Sequence, residues 1–113
     1  MKKTTILTKV LDRARDGYDD LPVTVYENGV PGLFVGRMLN RDRTQNGAWD
    51  IYHHTGYLLI DSWNFNGFPT RKKAAEAMQK LGDLTDWTQG QQTITRTPDL
   101  FGKLKQIYME ARL

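Results

Sequence analysis

The sequence predicts an α+β domain, an antiparallel sheet of three or four strands packed with three helices in the order α-β-β-β-β-α-α. Three observations carry this. The stretch 33–63 holds three short β-rich runs separated by turn residues. Thr70 precedes apolar residues at helical spacing that stop at Gly82. Thr97-Pro98-Asp99 places a capping residue, a first-turn proline and a first-turn acid in succession, which is how a helix begins.

The elements follow in order. Residues 5–16 carry Leu7, Val10, Leu11 and Ala14 at helical spacing, with Thr5 as cap and Gly17 as stop, so a first helix is expected there. Residues 18–22 read as a link. Val23 to Tyr26 is rich in β-formers and runs into the turn signal Asn28-Gly29. After an irregular piece containing Pro31, strands are expected over 33–39, 48–54 and 57–63. The polar tip 40–47 joins the first two, and Thr55-Gly56 forms a tight turn between the last two. The Thr70-capped helix runs through Leu81 with Ala74, Ala77, Met78 and Leu81 on one side. The final helix presents Leu100, Leu104, Ile107 and Ala111, with Phe101 and Tyr108 alongside. Trp87 is expected to cap the core between the last helices.

Composition bounds the function. At 113 residues the chain reads as one domain, 1–113, with 39% hydrophobic and 26% charged residues. A net charge of +3 and a pI near 9.3 give a mild bias toward anionic partners. The absence of cysteine excludes disulfides, thiolate metal sites and cysteine nucleophiles. Lys9, Asp12, Arg13 and Arg15 interrupt the apolar start, so neither signal peptide nor membrane span is expected and the expected location is the cytoplasm.

Register sorts the side chains. With Thr55-Gly56 as a two-residue loop, His54 pairs with Tyr57, Tyr52 with Leu59 and Asp50 with Asp61. Trp49, Ile51 and His53 then share the core face with Leu58, Ile60 and Ser62, extended by Phe34 and Met38. Leu33, Val35 and Arg37 join Asp50 and Asp61 on the other face, where Arg37 beside the two carboxylates reads as a surface ion-pair row; the alternative, a two-aspartate metal site, lacks a third ligand and is opposed by the neighbouring arginine. Tyr52, Tyr57 and His54 leave a contact edge at the hairpin end of that face, unless a terminal helix covers it. His53 and His54, adjacent in a strand, are expected to point to opposite faces and so to share no metal ion.

Several residues are candidates for partner binding. Arg71, Lys72 and Lys73 open a helix, where the macrodipole disfavours cations and favours a bound anion. Arg41 and Arg43 stand at the hairpin tip, in reach of phosphates or base edges. Trp63 and Phe65 belong to an aromatic run, Trp63 to Phe68, suited either to recognition or to plugging the junction of sheet and helix. No catalytic constellation, metal cluster or cofactor loop is recognisable, so no enzyme, metal or cofactor is expected.

Residues 33–81 resemble in layout the ethylene-response-factor domains and the arm-binding domains of phage integrases. The run Phe68-Pro69-Thr70-Arg71-Lys72-Lys73-Ala74-Ala75-Glu76-Ala77 is similar to their strand-to-helix junction. That resemblance implies a sheet face against DNA, although Asp50 and Asp61 depart from it. The chain as a whole resembles small accessory proteins of phages and mobile elements, among them anti-CRISPR inhibitors. The leading expectation is therefore a non-enzymatic inhibitor that occludes a host protein or ribonucleoprotein complex handling nucleic acid. The alternative is a module that binds DNA or RNA directly through its sheet and basic helix start.

Overall fold

A computed structural model describes residues 2–12, 17–39, 43–45, 47–59, 67–89 and 98–112. Four strands, β1 (Lys2–Asp12), β2 (Gly17–Glu27), β3 (Leu33–Arg37) and β4 (Trp49–His53), form one antiparallel sheet in the order β1-β2-β3-β4. Two helices follow, α1 (Arg71–Leu81) and α2 (Pro98–Arg112). The α+β class is as expected. The expected first helix is not a helix but β1, which leaves two helices among the described residues.

The reason lies in β2. Thr4, Thr5, Ile6, Thr8 and Val10 are β-branched, a poor composition for a helix and a good one for a pleat. Thr4 opposes Val25, Ile6 opposes Val23 and Thr8 opposes Leu21, while Lys3, Thr5, Leu7 and Lys9 are exposed. The same apolar residues satisfy helical spacing, but only the strand gives them a facing row to pack on. The expected link 18–22 is likewise strand. Pro22 fits because it lies outside the short β2–β3 register, which holds only Val25 opposite Gly36 and Tyr26 opposite Val35.

The turn after β4 differs by one residue from the expected two-residue loop. Tyr52 bridges Leu58, the His53 N–H donates to the Tyr57 carbonyl at 2.7 Å, and the Leu59 N–H donates to Ile51 at 3.1 Å. Such a slip exchanges faces. Leu59 thus joins Ile51, and Leu58 joins Tyr52. In the β3–β4 pair Val35 opposes Ile51, Leu33 opposes His53 and Phe34 opposes Tyr52, so Leu33 and Val35 belong to the core face and Phe34 does not. The expected strand 57–63 survives as the bridge at Leu58; residues 60–63 lie outside the described residues.

Contact with β1 shapes this turn. The Gly56 carbonyl accepts from the Lys9 N–H at 3.0 Å and from the Thr8 hydroxyl at 2.8 Å. Gly56 holds φ +100°, and a Cβ there would meet the Leu7 carbonyl oxygen at 2.6 Å. The outer edge of β1 is thereby pinned by a segment beyond β4.

The sheet separates two apolar clusters. On the helix side, Leu33, Val35 and Ile51 pack with Phe68, Met78, Leu81, Trp87, Leu104 and their neighbours. On the other side, Val23, Val25 and Tyr52 form a smaller cluster with Ile6, Phe34, Leu39 and Leu58. The helix α1 begins as expected, with the Thr70 hydroxyl accepting from the Lys73 N–H at 3.2 Å, and closes at Gly82. It buries Ala74, Ala75, Ala77, Met78 and Leu81. Trp87 fills the expected capping position, its indole N–H donating to the Leu81 carbonyl at 2.8 Å.

The helix α2 contributes Leu100, Leu104 and Tyr108, whose ring packs 5.0 Å from that of Phe68. The Tyr108 hydroxyl reaches Asp50 Oδ1 at 3.4 Å, and the Ile51 N–H donates to the same oxygen at 2.7 Å. Asp50 is fully buried, which corrects the expected surface row with Arg37. Burial raises the pKa of Tyr108 and Tyr52, and the neighbouring Asp50 charge adds to both, so each hydroxyl stays protonated as a donor.

Candidate functional site: a cation and aromatic strip beside the helix start

Pairing places three side chains of the strip, Tyr26, Arg37 and Trp49, together on the helix side of the sheet, and α1 adds a fourth. Arg37 opposes Trp49 across β3 and β4, and Tyr26 on β2 opposes Val35 on β3. Arg71, the first residue of α1, reaches over the sheet margin to both rings. Its guanidinium carbon lies 5.0 Å from the Tyr26 centroid and 5.9 Å from that of Trp49. The Arg37 guanidinium stands 4.9 Å from the Trp49 centroid. The two rings are 6.2 Å apart, centroid to centroid, and tilted by 50°. Both arginines are exposed and both rings are half-buried. Each guanidinium–ring contact at such a site contributes about 0.5–1 kcal/mol.

The surrounding residues extend the strip. Lys3 opposes Tyr26 directly on β1 and is exposed. The Gln45 side-chain amide pairs with the Thr24 backbone, accepting from its N–H at 2.7 Å and donating to its carbonyl, as a strand residue would. A pocket of about 230 Å³ opens between Thr24, Tyr26, Arg37, Gln45 and Trp49, and no carboxylate lines it among the described residues. Beside it a shallow groove is lined by Asn28, Arg71, Lys72, Glu76 and Gln79, with the Gln79 side-chain amide donating to the Asn28 carbonyl.

Of the expected binding residues, Arg71 and Lys72 are exposed at this strip, and Lys73 is half-buried with its N–H on the Thr70 cap. Arg43 is exposed but donates to Asp19 on β2 at 3.1 Å, so its guanidinium is held against that strand. Tyr52 is only 2% exposed, its hydroxyl donating to the Arg37 carbonyl at 2.9 Å, so it is a core residue and not a contact residue. Tyr57 is half-buried in a separate pocket on the other side of the sheet, with Thr8, Val10, Leu39 and Leu58. Arg41, Trp63 and Phe65 lie outside the described residues.

Sequence reasoning missed Tyr26 and Trp49 and assigned Arg37 to an ion pair. The signal was present: a register carried one residue differently through the tip brings Arg37 opposite Trp49, an aromatic–cation pair.

The histidines also depart from expectation. β4 ends at His53, so His54 escapes the alternation of the pleat, and the two rings meet at 4.3 Å between centroids. His53 is buried with Nδ1 2.7 Å from the Thr55 hydroxyl, and His54 Nε2 lies 3.1 Å from the Gln89 carbonyl. Burial, and then the neighbouring His54, lower the His53 pKa. Among the described residues no group of three or more His, Cys, Asp or Glu side chains is assembled around a common point. No helix among them is long and apolar enough to cross a membrane.

No protein-family model matches the chain, and neither does any curated protein or solved structure.

Proposed function

We propose that this chain is a non-enzymatic module that binds nucleic acid directly, in the cytoplasm, through the strip formed by Arg37, Trp49, Arg71 and Tyr26. One observation carries the reading: two partly exposed rings lie beneath two guanidinium groups, beside a pocket lined, among the described residues, by Thr24, Tyr26, Arg37, Gln45 and Trp49. Cations meet phosphates and rings meet bases, and together they form a surface for a polyanion that also carries π-faces. Lys3 and Lys72 lengthen the basic track on either side.

The test is affinity for random single-stranded and duplex oligonucleotides at low and high salt. The expected result is binding at low salt that weakens steeply with ionic strength. The double substitution Arg37→Glu with Arg71→Glu should abolish it while circular dichroism stays unchanged. Absence of binding at low salt removes this reading.

A second reading has its own support. Strand alternation puts Leu7 and Tyr18, 56% and 64% exposed, on the same face of β1 and β2 as Tyr26. Apolar and aromatic area of that kind suits a protein partner. On this reading a phage or mobile-element product occludes a host nucleic-acid-handling complex, as an inhibitor of anti-CRISPR type does. Its signature is an association that persists at high salt and is lost in Tyr18→Ala.

A further inference from the structure

We infer that the strip selects unpaired bases: Trp49 and Tyr26 are stacking platforms for a single strand, and the flanking cations hold its phosphates. The inference rests on the nucleic-acid reading above and narrows it to one substrate class. Ring geometry favours it. The centroids stand 6.2 Å apart and the planes are tilted by 50°, whereas consecutive nucleotides in a duplex strand advance by about 3.4 Å with their bases parallel. Two bases seated on these rings are therefore unstacked from one another and splayed, a state open to a single strand and closed to a base-paired helix.

Guanidinium groups lie over the rings that bases would take, 4.9 Å from Trp49 and 5.0 Å from Tyr26. A guanidinium–ring contact at an exposed site is weaker than a base stacked on a ring. An arriving base displaces the arginine, and the freed cation lies one side-chain length from the phosphate that accompanies the base. Charge complementarity supports the same occupant. Lys3, Arg37 and Arg71 stand beside the rings, and Lys72 lines the neighbouring groove together with Glu76. The Thr24 and Gln45 amides are already paired with each other, which leaves stacking and charge, not base-edge hydrogen bonds, as the means of recognition at that wall. Little sequence preference is expected.

Fluorescence anisotropy with a labelled single strand, the matching duplex and poly-glutamate separates the outcomes. The single strand should bind at least tenfold more tightly than the duplex. Tyr26→Ala and Trp49→Leu should each weaken it by about tenfold and leave the salt slope unchanged. Arg71→Ala should lower the slope of log K against log salt by about 0.7. Trp49→Leu keeps apolar volume at a half-buried position, and Tyr26→Ala offers a second route if that variant misfolds. Equal affinity for both nucleic acids, or ring variants that bind like the parent, overturns the stacking inference and leaves the nucleic-acid reading standing. Binding of poly-glutamate but of neither nucleic acid overturns both.

Discussion

On the helix side of the sheet, β3 and β4 bury Leu33, Val35 and Ile51 under α1, and Phe68, Leu104 and Tyr108 close the layer. On the opposite side, Val23, Val25 and Tyr52 form a smaller cluster with the half-buried Ile6, Phe34, Leu39 and Leu58 of the β1–β2 ribbon and its neighbours. The first cluster joins two helices to the sheet through residues distant in sequence. The second fixes how β1 and β2 lie against β3. The strip sits on the seam between the regions, with Arg37, Trp49 and Arg71 from the better-packed part and Tyr26 and Lys3 from the ribbon. On the proposed reading, stability and recognition are carried by different residues, and substitutions can separate them.

The largest effect is expected on the helix side. Phe68 is fully buried against Tyr108, so Phe68→Ala should lower unfolding stability by about 3–5 kcal/mol in urea titration. A loss below 1 kcal/mol would mean that this cluster does not dominate. The junction of the two regions is next. A Cβ at Gly36 would lie 2.8 Å from Val25 Cγ1 and 3.0 Å from the Thr24 carbonyl oxygen. Gly36→Ala should therefore cost about 1–3 kcal/mol by overpacking. It should also shift Tyr26 away from Trp49, weakening ligand binding where Phe68→Ala, under conditions that keep it folded, does not.

The smallest effect is a pH dependence. Burial and His54 depress the folded-state pKa of His53 below its ordinary 6.5. Protonation thus favours the unfolded chain, and the stability present above pH 6.5 is lost as pH falls through that value toward the folded pKa. Melting temperatures should decline over this range before most carboxylates titrate, and His53→Gln should flatten the decline.

Legibility in the sequence followed the range of the interactions. Thr70 and Gly82 act on backbone groups within a turn of themselves, so the limits of α1 and its buried alanines could be read directly. The same holds for the start of α2 and for Trp87, six residues from the carbonyl it caps. β1 could not be read this way. Leu7, Val10 and Leu11 fit a helix as well as a strand, and only the pairing of β1 with β2, where Thr4 meets Val25 and Ile6 meets Val23, decides between them. The turn after β4 is set by Leu7 and Thr8, far upstream, and its extra residue moved Leu59 and Leu58 across the sheet. Arg71 was recognised because first-turn chemistry is local. Its companions Tyr26 and Trp49 were not, since their meeting depends on two registers at once.

The carbonyl of Gly56 clasps Thr8 across 48 positions of chain. During translation the first strand therefore emerges well before the residue that secures its margin, and its hairpin with β2 must wait on later synthesis for that anchor. A contact of such span is slow to close. By this clasp the margin of β1 is secured only once residues beyond β4 are in place.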